Sequence, residues 1–114
     1  MSVRLTVRQV GDVTVVDCAG RITRGDGSNM FRDTIRDLVS KGCQKILLNL
    51  SEVSHIDNAG IGELVSGFAT TRNKGGILKL VNLTQRTQDL LRITKLETVF
   101  QIFDDEATAL HSFS

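Results

Sequence analysis

Lys45-Ile46-Leu47-Leu48-Asn49-Leu50-Ser51-Glu52-Val53-Ser54-His55-Ile56-Asp57-Asn58-Ala59-Gly60-Ile61-Gly62-Glu63-Leu64 is the stretch on which the fold turns. Lys45–Leu50 is a nearly unbroken apolar run of strand length, the pattern of a central strand covered on both faces. A polar link follows. Ile61, Leu64, Val65 and Phe68 then recur at i, i+3, i+4 and i+7, which predicts an amphipathic helix ending near Asn73-Lys74-Gly75-Gly76. A buried strand followed by a helix needs a parallel neighbour reached by a crossover, so the fold class is α/β.

Working outward, Ile77-Leu78-Lys79-Leu80-Val81 supplies that next strand. Thr84 is placed to cap a further helix running to about Thr94, with Leu90, Leu91 and Ile93 as its apolar set. Val99–Phe103 suits a short last strand, and Asp104 is placed to cap a final helix whose first turn holds Asp105 and Glu106, where negative charge favours the positive end of the helix dipole. Toward the N-terminus, Phe31, Ile35, Leu38 and Val39 define another amphipathic helix, capped by Ser28 and stopped by Gly42. Before it, Val3, Leu5 and Val7 alternate with polar residues as in an edge strand. Gly11-Asp12 turns the chain into a second strand, Val13–Ala19, which Gly20 ends. Residues 20–28 hold three glycines among polar residues and read as an exposed connection. The expected order is β-β-α-β-α-β-α-(β)-α, a mixed sheet of four to five strands with about four helices. At 114 residues without repeat or linker, residues 1–114 are expected to form one domain.

Composition narrows the function. Fourteen Lys and Arg against thirteen Asp and Glu, interleaved along the chain, leave no basic block to neutralise phosphates, which argues against nucleic acid as a direct partner. No apolar run reaches the length of a membrane span, so no membrane insertion is expected. The two cysteines, Cys18 and Cys43, sit in hydrophobic segments, consistent with a reducing cytoplasm. With no Trp or Tyr and two isolated histidines, the chain is poorly supplied for cofactor or metal chemistry, and neither is expected. Gly25-Asp26-Gly27-Ser28 precedes a helix but lacks the Lys and spacing of a phosphate-binding loop.

The place where function can reside is the helix start after Ile56. Asp57 is a natural N-cap, and Asn58-Ala59-Gly60 exposes backbone with little side-chain bulk, so that another protein or an anion could approach the helix N-terminus closely. His55 stands two residues from Asp57, but no nucleophile or oxyanion site accompanies it; a surface histidine is the expectation, and enzyme activity is not. Ser51, Ser54, Thr23 and Ser28 read as solvated turn residues.

The run from Leu47 to Leu64 resembles the signature of STAS domains of the bacterial anti-sigma factor antagonist family: a hydrophobic strand, Leu-x-x-Val-x-x-Ile-Asp, a pair of small hydroxyl residues, then Gly and a helix. Val15–Arg21 is similar to that family's second strand and Gly75–Leu80 to its fourth. The resemblance implies the STAS (sporulation anti-sigma antagonist-like) fold and a partner-switching role. The unmodified antagonist binds an anti-sigma factor that is also a serine kinase of the GHKL type, freeing a sigma factor. Phosphorylation of the Ser after the motif Asp breaks that complex, and a phosphatase restores it. The chain departs from the pattern at that atom: the phosphoacceptor position is Asn58, and Ala59 follows, so neither carries a hydroxyl. The resemblance places partner contacts at Asp57, Asn58, Ala59, Gly60, Ile61 and Gly62, with a second patch at Gly20, Arg21, Ile22 and Thr23. The alternative role is a non-switching scaffold subunit of a signalling or lipid-transport complex, which the missing hydroxyl favours; other STAS proteins are further candidate partners.

Overall fold

The computed structural model describes residues 3–114. The chain runs β1 (Val3–Val10), β2 (Val13–Ile22), α1 (Asp26–Ser40), β3 (Lys45–Ile56), α2 (Asn58–Asn73), β4 (Ile77–Val81), α3 (Gln85–Ile93), β5 (Ile102–Phe103) and α4 (Glu106–His111). The five strands lie in sequence order, with β1 antiparallel to β2 and every later pair parallel. The N-terminal hairpin and the crossover helices therefore form as expected, and the sheet is mixed.

Each strand sends alternate side chains to opposite faces. Val16 and Cys18 of β2, Ile46 and Leu48 of β3, and Leu78 and Leu80 of β4 meet Phe31, Ile35, Leu38 and Val39 of α1, Ile61 and Leu64 of α2 and Leu91 of α3 in the larger core. Phe68 and Phe100 close its rim, ring edge to ring face, with centroids 5.5 Å apart. On the other face Val13, Val15, Leu47 and Val81 pack under Ala109 and Phe113 of the α4 region. Val10, Ile77, Phe103 and Leu110 pack against this cluster, and beside it Arg8 bonds both Asp17 and Glu106, and Asn49 donates to Asp17 at 2.9 Å.

Several boundaries differ from the sequence reading, each for a local reason. β3 does not stop at Leu50 but continues to Ile56. Between Asp17–Asn49 and Ala19–Glu52, and again between Gly20–Val53 and Arg21–His55, β3 advances one residue more than β2. These are two bulges, uncommon between parallel strands. Each shifts the alternation by one, so Leu50, Val53 and Ile56 all turn inward at a spacing of three. A period of three does not read as a strand, which is why the segment passed for a polar link.

Gly20 likewise does not end β2; with φ of 96° it lies inside the bulged region, and Ile22 is the last residue of the strand and fully buried. The connection is shorter and less exposed than expected. α1 starts at Asp26 with Gly25 as its N-cap residue and no side-chain cap; Ser28 lies buried in the first turn, its Oγ donating to the Gly25 carbonyl at 3.2 Å. In α3 the N-cap is Thr84, accepting from Thr87 N–H, but Ile93 is 76% exposed and the buried pair is Thr87 and Leu91. The last helix is capped by Asp105, not Asp104, through Thr108 N–H. β5 shrinks to Ile102–Phe103, because Phe100 turns into the core instead of extending the strand.

Candidate functional site

The long β2–β3 pairing determines what sits beside Asp57. Register places Arg21 next to His55 and Ile22 next to Ile56, so both strands end together and the chain departs from one end into α1 and from the other into α2. The two patches read from sequence, 20–23 and 57–62, are thus brought together.

Asp57 joins them. Its Oδ1 accepts from Gly60 N–H at 2.9 Å, capping α2, and its Oδ2 accepts from Arg24 N–H at 3.0 Å, 33 positions back in the chain. One carboxylate therefore satisfies an open donor of the helix and one of the β2–α1 loop. Burial alone would raise its pKa, but N–H donors from Arg24, Gly60 and Ala59 outweigh that cost and hold the carboxyl below its ordinary value. The sequence showed the cap; the bond to Arg24 depends on the register and had no local signal.

Two glycines let the helices close on the strand end. A Cβ on Gly60 would lie 2.0 Å from the Ile22 carbonyl oxygen, and one on Gly27 would lie 2.2 Å from the Arg21 carbonyl oxygen. Neither position has room for a side chain. Gly27 was not singled out as a site residue, although its spacing from Gly25 in a Gly-x-Gly run was the available signal. Ser54 adds a further tie, its Oγ donating to the Gly20 carbonyl at 3.1 Å.

This packing corrects the list of surface residues. Ile22, Gly60 and Ile61 are buried and cannot be touched by a docked protein; they hold the surface up from beneath. The lack of a side chain at Gly60 accommodates the neighbouring strand. Arg21, Asn58 and Gly62 are exposed, and Gly20, Thr23, Asp57 and Ala59 are half-buried around them. A Cβ on Gly62 would meet no atom within 4 Å, so its lack of a side chain leaves that surface flat without serving the fold. Asn58, the first residue of α2, stands at the positive end of the helix dipole.

His55 is exposed, and its Nδ1 lies 3.1 Å from Ser54 Oγ, while both oxygens of Asp57 are engaged by backbone N–H groups. Among the described residues no three His, Cys, Asp or Glu cluster closely enough to hold a metal ion, and no helix is long and apolar enough to cross a membrane. Both cysteines are free thiols; Cys18 is buried, and burial followed by the nearby Asp17 pushes its pKa up to about 12.

The STAS domain family matches residues 4–109, which take in all five strands, save Val3 of β1, and both helix starts of the site. The chain belongs to that family. It is 33% identical over 86 residues to a candidate anti-sigma factor antagonist of Thermotoga neapolitana, covering 75% of this chain and 76% of that one. It is 30% identical over 102 residues to the anti-sigma-B factor antagonist of Bacillus subtilis, covering 90% and 92%. The crystal structure of a candidate anti-sigma factor antagonist from Thermotoga maritima superimposes with a TM-score of 0.88 at 25% identity, covering 95% of this chain and 92% of that one.

Proposed function

We propose that this chain is an anti-sigma factor antagonist, which binds an anti-sigma factor through the surface around Arg21, Thr23, Asp57, Asn58, Ala59 and Gly62 and so frees a sigma factor for transcription. The observation that carries the reading is the two-sided grip of Asp57. By holding α2 and the β2–α1 loop at once, it presents Asn58 and Arg21 as neighbouring parts of one firm surface. Such preorganisation lowers the ordering cost of docking. The names carried by relatives at 30% and 33% identity support the same role.

The partner in this reading is a serine kinase of the GHKL type, and binding is insensitive to its kinase activity at this position. A phosphate adds about 1.5 to 2 negative charges, but Asn58 and Ala59 offer no hydroxyl to carry one. Asn58 is neutral and leaves the surface in its binding-competent state. The test is calorimetric titration of the chain into a purified anti-sigma factor kinase. Asn58→Glu, which places a fixed negative charge where a phosphate would stand, is expected to weaken the complex by tenfold or more, at about 1.4 kcal/mol per tenfold. Unchanged affinity would exclude this surface. Incubation with kinase and ATP should leave the intact mass unaltered; a stoichiometric phosphate lost on mutating residues 57–60 would refute the insensitivity.

The missing hydroxyl also supports a second reading, a STAS scaffold subunit of a signalling or lipid-transport complex whose face never switches. Affinity capture from native cell extract separates the two, a kinase partner favouring the antagonist and transporter subunits or other STAS proteins favouring the scaffold.

A further inference from the structure

The outer edge of the sheet is β1, and between that edge and α1 lies an open groove of about 600 Å³. Val7 forms one wall, Met30 the other, and Leu38 belongs to the lining between them. Val7 and Met30 are 46% and 44% exposed, two of the few large apolar side chains left open to water. Asp26, Asp33 and Asp37 follow one another along α1 at i, i+7 and i+11, so they share the helix face that borders the groove. Among the lining residues only Lys41 opposes them, its Nζ 2.9 Å from Asp37 Oδ2, while Arg32, outside the lining, has its Nε 3.7 Å from Asp33 Oδ1. Three carboxylates against one ammonium give the groove a net negative charge.

From Arg4 to Val10 the outer side of β1 pairs with no strand among the described residues. An unpaired edge strand offers a ladder of backbone donors and acceptors to an added strand. Charge decides what that strand can be. A second copy of this chain laid edge to edge would bring its own acidic helix face toward this one, and like charges repel. An extended segment with basic side chains on the helix side meets no such cost.

We propose that the groove is a docking site for an extended, basic segment of a partner protein, added to β1 as a sixth strand. On the face it turns to α1, which every second residue supplies, apolar side chains cover Val7, Met30 and Leu38, and Lys or Arg side chains reach Asp26, Asp33 and Asp37. The site does not depend on the antagonist role, because its occupant is defined by the groove's own shape and charge. It opens beside the surface already described: Asp26 is two residues beyond Arg24, whose N–H is held by Asp57. One partner could grip both.

The test is an amide NMR titration of the full chain with the capped peptide Lys-Thr-Val-Thr-Lys-Thr-Val, whose first, third, fifth and seventh side chains set Lys and Val together on the face turned to α1. Saturable shifts confined to β1 and α1 are expected. The matching peptide with Glu for Lys should bind at least about tenfold more weakly, since like charges then face each other. Replacing Asp33 and Asp37 together by Asn should weaken the basic peptide by about fivefold, as for two exposed ion pairs. Val7→Lys places a charge on the open edge and should abolish the shifts while leaving the rest of the spectrum folded. Asn58→Glu should leave the titration unaltered, which separates this site from the antagonist surface. Equal binding of the acidic peptide, shifts outside β1 and α1, or concentration-dependent β1 shifts without peptide, the mark of self-association, would each overturn the proposal.

Discussion

Helices α1 and α2 start against neighbouring carbonyl groups at the end of β2, yet they are held by different means. α2 has a side-chain cap: Asp57 bonds its third residue and also ties down the loop before α1. α1 has none. Its start relies on Gly25 at φ of 102°, on the backbone bond from Ser28 N–H to the Thr23 carbonyl, and on Gly27 fitting under Arg21. A helix start fixed by one carboxylate fails when that carboxylate is lost or protonated. One fixed by steric fit fails only when volume is added.

The largest expected effect comes from adding volume where backbone faces backbone. Gly60→Ala, with its Cβ 2.0 Å from the Ile22 carbonyl oxygen, must push α2 away from β2. A loss of about 3 kcal/mol or more is expected, the upper part of the range for overpacking, read from the urea midpoint. Gly27→Ala meets the Arg21 carbonyl at 2.2 Å, but the uncapped start of α1 has more freedom to move, so about 2 kcal/mol is expected. If Gly27→Ala proved costlier than Gly60→Ala, the capped helix would be the more yielding one and the comparison would be reversed.

Loss of the cap comes next. Asp57→Ala removes the acceptor of two backbone N–H groups and should cost about 1 to 2 kcal/mol. Because the folded state holds this carboxyl below its ordinary value, its contribution is fully present above the unfolded pKa of about 3.9 and is lost as pH falls through the lower folded value. Denaturation at pH 7 and pH 3 should therefore show a smaller difference between wild type and Asp57→Ala at the acid end. An equal difference at both would mean that the ionised form is not what the site holds.

The smallest effect sharpens the contrast within α2. Gly62→Ala meets nothing within 4 Å and lies in a helix, so the fold should gain about 0.5 to 1 kcal/mol. Two glycines two residues apart thus have opposite expected signs, a difference that melting temperature resolves.

Much of this was legible along the chain. The apolar run Lys45–Leu50, the helical spacing Ile61, Leu64, Val65 and Phe68, and the caps Asp57 and Thr84 report local preferences, and local preferences are what periodicity and capping rules read. Ser51–Ile56 was missed because bulges change the period of a strand, and bulges are defined only against a partner strand. Adjacent Asp104 and Asp105 offer the same carboxylate, and the backbone angles, which residue identity does not show, make Asp105 the cap. Ile93 has the spacing of a core residue yet is exposed, because a helix face alone does not show how far the neighbouring elements extend.

The sequence by itself determined the α/β order of elements, the STAS resemblance, and the absence of a hydroxyl at Asn58 and Ala59, since each depends on residue identity or short-range spacing. Only the tertiary structure decided which residues of the site are surface and which are support. Ile22, Gly60 and Ile61 belong to the same stretches as Arg21, Asn58 and Gly62, yet they are buried, because the bulged end of β3 brings the β2 carbonyls against both helix starts. Long-range register sets that contact, and no run of neighbouring residues encodes it.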